Sequence, residues 1–385
     1  MDNNTGSWWA NMSEEISNVT ETPVSNVSGP KFPMYLLNQY GIYVAGMNLM
    51  NLQGFLCCAI GLPSNLASFV TLMKMKPMTS SIFLLTVLAV VDFTVLFYQQ
   101  LFSILILNFE YRVLEIGCKF YFYIGTILVQ YSIRLMVALT VERFIAVWFP
   151  LKVANLCTVR RAKITVSCML LGLALFNIPY CMASSERQQL TGWWICGIHE
   201  DFEAFLVTWS WVDSAVYLFL PWPTLLFCNV MIIVGLRSSA RKKERMTNST
   251  NQTAESKRQQ QSVTVMLIVA SVTCFVLLTP NAIFFIYQRY WEFQSDAYQY
   301  ASYVFVNSFI YFLSNFNHAI NFFLYVVSGR RFRRVFIALI TCRSTEEGVR
   351  GKTSGVTAVS SVSSNWKPTK GVDNGGYKKD EENNI

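Results

Sequence analysis

Residues 117–148 read GCKFYFYIGTILVQYSIRLMVALTVERFIAVW, a run in which only Lys119, Arg134, Glu142 and Arg143 carry charge. A helix needs roughly 20 mostly apolar residues to cross about 30 Å of hydrocarbon, and this stretch is longer than that and apolar on all sides. It predicts a membrane-spanning helix. Outward from it, comparable runs fall at about 46–73, 79–107, 161–183, 204–236, 262–288 and 299–327, joined by short polar connections. A transmembrane β-barrel would instead show segments of roughly ten residues with alternating polarity. Across the chain 53% of residues are hydrophobic and only 14% charged, whereas about a quarter of a soluble domain is charged. The fold expected is all-α, a seven-transmembrane helix bundle over residues 46–328.

Orientation follows from the basic residues, which collect on the cytoplasmic side. With the N-terminus outside, the inner connections hold Lys74, Lys76, Lys152, Arg160, Arg161 and Lys163. The third inner loop adds Arg237, Arg241, Lys242, Lys243, Arg245, Lys257 and Arg258, and the segment after the last span adds Arg330, Arg331, Arg333 and Arg334. The outer connections hold chiefly Lys31, Arg112, Lys119, Arg187 and Arg289. The net charge of +8 therefore belongs to the inner face, and it calls for no nucleic-acid partner.

Residues 1–45 are rich in Ser, Thr and Asn, and Asn3, Asn11, Asn18 and Asn26 each open an N-x-Ser/Thr triplet, the pattern of an extracellular glycosylated segment. Asn248 and Asn251 fit the same triplet but fall in the basic inner loop, where they stay bare. No charged-then-apolar stretch with a cleavage site precedes the first span, which is expected to act as its own insertion signal. Of ten cysteines, Cys57, Cys58, Cys168, Cys228 and Cys274 fall within spans as small apolar residues, and Cys157 and Cys342 are cytoplasmic. Cys118 and Cys196 both lie on the oxidising side and are expected to pair, with Cys181 as the competitor. Residues 329–342 form a short basic amphipathic eighth helix ending at Cys342, a palmitoylation candidate in contact with membrane lipids. Residues 343–385 are composed like a disordered cytoplasmic tail, with Ser360, Ser361, Ser363 and Ser364 as phosphosites.

Each span also carries a motif. The first has Gly61-Leu62-Pro63-Ser64-Asn65, the second Leu88-Ala89-Val90-Val91-Asp92, and the third ends Glu142-Arg143-Phe144. The fifth has Pro221 and Asn229, the sixth Pro280, and the seventh runs from Asn317-His318-Ala319-Ile320-Asn321 to Tyr325. From about residue 46 to 342 this ordered set resembles the rhodopsin-like class of G-protein-coupled receptors. The segment through Asn321-Phe322 to Tyr325, with Ser328-Gly329-Arg330 after it, is similar to invertebrate neuropeptide receptors of the FMRFamide type. The resemblance implies a plasma-membrane receptor that binds an extracellular ligand, activates a heterotrimeric G protein and meets arrestin after tail phosphorylation. It implies no enzyme and no cofactor, and the residues call for no structural metal.

It also assigns roles. Glu142, Arg143, Asn229, Asn321 and Tyr325 would serve activation and G-protein coupling, with Arg143 paired to Glu142 until released. Asp92, a carboxylate near mid-membrane, is costly there and needs partners. Family position supplies Asn65, Ser132, Asn317 and Asn321, which hydrogen-bond such a carboxylate or share a sodium ion with it. His318 stands beside them, where a protonated imidazole competes with sodium. Several positions depart from the family: Leu278 replaces a tryptophan, Gln260 an acid, and Phe322 a proline, and the fourth helix lacks its usual tryptophan. Arg134, nine residues before Arg143, faces another side of the same helix and has no evident role.

For the ligand, the monoamine-binding acid is replaced by Gly125 and the retinal lysine by Asn315, which sets two ligand classes aside. Glu186, Glu200, Asp201, Glu203, Glu292 and Asp296 make the outer loops acidic, and Asp213 lies about two turns above Pro221. With Gln130, Trp209, Phe284 and Tyr311 these suit a cationic amidated peptide offering a guanidinium and an aromatic ring. The alternatives are a receptor for a non-peptide chemosensory ligand or a transporter, though no internal repeat of transporter kind is visible.

Overall fold

The computed structural model describes residues 32–109, 114–188, 194–245, 251–288, 290–293 and 295–342. The sequons at Asn3, Asn11, Asn18 and Asn26, and the tail serines, lie outside them. Seven long helices form the bundle: α1 (Gly41–Lys74), α2 (Ser80–Phe109), α3 (Glu115–Trp148), α4 (Val159–Ala183), α5 (Glu203–Ser214, a π turn Ala215–Phe219, then Pro221–Arg245), α6 (Asn251–Tyr287) and α7 (Ala297–Ser328). The short α8 (Arg330–Ile340) follows.

Six of the seven are long and apolar enough to cross a membrane. The seventh, α7, is 32 residues long but falls short in apolarity. The reason is visible in its inward face: Asn315, Asn317, His318 and Asn321 are all buried against other helices. A polar residue inside a bundle keeps a helix spanning if its partners are protein groups instead of lipid.

Prolines shape two of the helices. In α1 the π turn Cys57–Gly61 ends just before Leu62-Pro63, and in α5 the π turn Ala215–Phe219 ends just before Leu220-Pro221. A proline has no N–H, and its ring crowds the carbonyl four residues back. The wider turn relieves that clash: Leu62 N–H donates to Cys57 O, and Leu220 N–H to Ala215 O at 3.0 Å. In α4, Pro179 similarly interrupts the ladder at Asn177.

Packing centres on α3, which touches α2, α4, α5 and α6. Leu135, Met136 and Leu139 are buried with Leu85, Leu88, Leu225 and Leu267. Tyr131 and Tyr123 donate to the α4 carbonyls of Val166 and Ala174 at 3.0 and 2.9 Å, and Trp148 Nε1 to Met231 O on α5 at 2.8 Å. Elsewhere α4 turns most of its surface outward, with Ile164, Leu171 and Leu175 exposed to what would be lipid. At the outer end of the α1–α7 seam, a Cβ added at Gly46 would lie 2.9 Å from the Phe305 backbone.

Two features extend the expectation from sequence. A two-stranded antiparallel hairpin, β1 (Ser184–Gln188) with β2 (Trp194–Ile198), caps the outer end, so the bundle is not purely helical. Cys196 on β2 bonds to Cys118 at 2.02 Å, while Cys181 is free. The spans expected to end at 236 and begin at 262 continue as helix, α5 to Arg245 and α6 from Asn251. Past the hydrocarbon a helix needs no apolar residues, only the continuing backbone ladder.

Gly46→Leu should separate α1 from α7 and cost about 2 kcal/mol or more by overpacking. A lower melting temperature of the purified protein checks this, and an unchanged one contradicts the close approach.

Candidate functional site

Polar side chains form a seam along the bundle axis. At its middle Asp92 on α2 is fully buried. Its Oδ1 accepts from Ser132 Oγ at 2.6 Å and meets His318 Nδ1 at 2.7 Å, and its Oδ2 accepts from Asn321 Nδ2 at 2.7 Å. Three helices therefore meet on one carboxylate. Asn65 joins through the backbone, donating to Gly61 O and to His318 O at 3.1 and 2.9 Å. Asn317 is buried nearby on α7, without a hydrogen bond to Asp92 among the described residues. With both carboxylate oxygens engaged by side chains and an imidazole against Oδ1, the residues present do not fit a sodium ion.

Towards the cytoplasm, Ser271 Oγ donates to Asn229 Oδ1 at 2.7 Å, linking α6 to α5. Tyr325 is buried on the Phe332 ring of α8, its hydroxyl without a hydrogen-bond partner among the described residues. Arg143 is buried 3.7 Å from Glu142. Both are gathered by the first turn of α2: Ser80 Oγ donates to Glu142 Oε2 at 2.7 Å, and Ser81 Oγ bonds Glu142 and receives Arg143. These serines were not legible as site residues, because a hydroxyl in a first helical turn looks like ordinary capping. The side chain of Gln260 lies outside the described residues. In the inner loop, burial and then Glu142 push the Cys157 thiol above its ordinary value, which keeps it protonated.

At the outer half Asp213 on α5 is buried. Gln130 Nε2 donates to its Oδ1 at 2.7 Å and Tyr180 Oη to its Oδ2 at 3.0 Å. Asn177 Nδ2 donates to Gln130 Oε1 at 3.2 Å, so α3, α4 and α5 share one network. Asn177 and Tyr180 were missed from sequence, since nothing in the run around Pro179 shows that one meets α3 and the other α5. Gln130 and Tyr180 therefore orient the carboxylate that the sequence analysis assigned to ligand binding.

Around this network lies a ring of aromatics. Tyr311 is half-exposed on α7 yet within electrostatic range of Tyr121, Tyr217 and Tyr303. Those groups come from α3, α5 and α7, so three helices contribute phenols at that depth. Phe284 is buried 5.9 Å from the Tyr303 ring, and Tyr303 stacks on Phe293 at 4.0 Å. Trp209 packs between Phe176 and Phe205, with centroids at 5.0 and 6.0 Å, and lies toward α4. Of the loop acids, Asp296 caps α7 by accepting from Gln299 N at 2.9 Å, and Asp201 meets His199 at 3.4 Å.

A bundle of seven helices, with a disulfide-tethered hairpin at one end and a buried arginine at the other, defines a membrane receptor class. Residues 65–325 match the 7 transmembrane receptor (rhodopsin family), and the chain belongs to that family. It is a multi-pass membrane receptor and not an enzyme. It is similar to the FMRFamide receptor of Drosophila melanogaster, 24% identical over 336 residues that cover 80% of this chain and 55% of that protein. The chain thus spans little more than half the length of this curated relative.

Asp92→Ala leaves the donors of Ser132, His318 and Asn321 without their shared acceptor and should cost about 3 kcal/mol or more in stability. In thermal melts, Asp92→Ala with His318→Ala should lose less than the sum of the single variants. Additive losses would show that the two side chains are not coupled.

Proposed function

We propose that this protein is a cell-surface receptor for a cationic amidated neuropeptide and that it activates a heterotrimeric G protein. The observation that carries the reading is membership of the rhodopsin family together with likeness to an FMRFamide receptor. The outer half is chemically suited to such a ligand. Tyr311, Phe284 and Trp209 would offer aromatic surface for a phenylalanine ring or a guanidinium, and Gln130 and Asp213 would offer polar groups. Acids of the outer loops, Glu186, Glu200, Asp201, Glu203, Glu292 and Asp296, would steer a cation toward the opening.

Signalling in this reading is a population shift. A ligand that binds one arrangement of the helices more tightly biases the bundle toward it, and the inner end, with Glu142, Arg143, Asn229, Asn321 and Tyr325, changes its affinity for the G protein. The N-terminus would lie outside, glycosylated at Asn3, Asn11, Asn18 and Asn26, and the phosphorylated tail would recruit arrestin. Palmitate on Cys342, exposed at the end of α8, would hold that helix against membrane lipids.

Applied to cells expressing this chain, the amidated peptide Phe-Met-Arg-Phe should raise nucleotide exchange on a G protein; a silent response across amidated peptides would reject the ligand class. At matched surface expression, Asp213→Asn should cost about 2 kcal/mol of affinity, roughly a thirtyfold loss of potency. An unchanged dose-response curve would reject the ligand contact of Asp213.

A further inference from the structure

Arg134 lies one turn along α3 from Gln130, in mid-span, where a cation is costly and marks a position with a task. Its guanidinium crosses to α5 and donates to the backbone carbonyl of Val216 at 3.0 Å, with a longer contact to Gln130 O at 3.4 Å. Val216 needs that donor for a reason written in the chain. In the π turn Ala215–Phe219 the N–H of Leu220 is already given to Ala215 O. The next carbonyl, that of Val216, then falls to residue 221, which is a proline without an N–H. Left alone, this carbonyl would be an unsatisfied acceptor inside the hydrocarbon.

The charge is matched as well as the hydrogen bond. Asp213, one turn earlier on α5, lies within electrostatic range of Arg134, so an anion stands near the cation that reaches the π turn. Tyr217, the residue after Val216, is within electrostatic range of Asp213 and of Tyr311 on α7.

We propose that Arg134 is a positioning residue of the ligand cavity: it supplies the donor that Pro221 lacks, fixes the π turn of α5, and thereby sets where Tyr217 and Asp213 meet the ligand. Arg134 itself touches no ligand. The proposal rests on the receptor reading for the word ligand, but the interaction it names exists without one.

Val216-Tyr217 is the only Val-Tyr pair in the chain, so full-length receptor labelled with carbon-13 at the valine carbonyl and nitrogen-15 at tyrosine gives one NMR correlation for this carbonyl. In the ligand-free protein, Arg134→Met should move that signal to the position of an unbonded carbonyl, while Arg134→Lys, which keeps a donor, should hold it near wild type. With the amidated Phe-Met-Arg-Phe peptide as probe, Arg134→Met should lose about tenfold in potency at matched surface density, and Arg134→Lys should recover most of it. Pro221→Ala, which returns an N–H to the ladder, should lessen the defect of Arg134→Met, including any loss of folded protein. A carbonyl signal unmoved by Arg134→Met overturns the proposal, as does a defect undiminished by Pro221→Ala, or a moved signal with peptide potency intact. A wild-type receptor that ignores the peptide overturns the peptide reading alone, because the carbonyl signal and the Pro221→Ala rescue are read without it.

Discussion

Inside hydrocarbon no water competes for a polar atom, so every N–H, C=O and charged side chain of this bundle must find its partner within the protein. The rest of the structure can be read from that requirement. Pro63 and Pro221 each remove a donor, and each is preceded by a π turn that redistributes the backbone bonds. Asn65 bridges Gly61 O and His318 O, so a side chain on α1 satisfies backbone on α7. Charged groups obey the same rule: Asp92 is surrounded by hydroxyl, imidazole and amide, and Asp213 by amide and phenol.

These partners also lie along one helix that runs from one end of the bundle to the other. Helix α3 carries Cys118 at its outer end and Arg143 at its inner end, 25 residues or about 37 Å apart, and Gln130, Arg134 and Ser132 lie between them. Together these three reach three neighbours: α4 and α5 through Gln130, α5 again through Arg134, and α2 through Ser132. A helix tied at both ends and bonded at mid-depth cannot move without changing several buried polar contacts at once. Buried polar contacts of this kind are made or broken, with little between, which suits a bundle that switches between discrete arrangements.

The inner end shows a related economy of means. Arg143 is held by Glu142 and by the serines opening α2, all on the α2–α3 side of the bundle. Contact between α5 and α6 there runs instead through Asn229 and Ser271. Among the described residues, separate ties hold the arginine and join α5 to α6, and Leu267 and Met266 pack α6 into the core.

The number of spans and the disulfide were legible in the chain because each follows from a local or one-dimensional rule, whereas Ser132 and Asn321 as partners of Asp92 came from family resemblance, which also offered Asn65 and Asn317. Spans follow from run length, and the Cys118–Cys196 pair from compartment. Even α7 was legible, although its asparagines and His318 lower its apolarity, since the apolar run around them is long enough. The roles of Ser80, Ser81, Asn177, Tyr180 and Arg134, the hairpin strands and the orientation of Asp213 were not. Each depends on which side chain from a distant helix arrives at the same depth and the same azimuth, and a small rotation of a helix would change the partner without altering any apolar run. The sequence by itself determined a membrane bundle of seven helices, because the hydrocarbon imposes length and polarity on every span alike. Only the tertiary structure decided which polar groups satisfy one another inside it, because that pairing is set by helix packing across separations of tens to hundreds of residues.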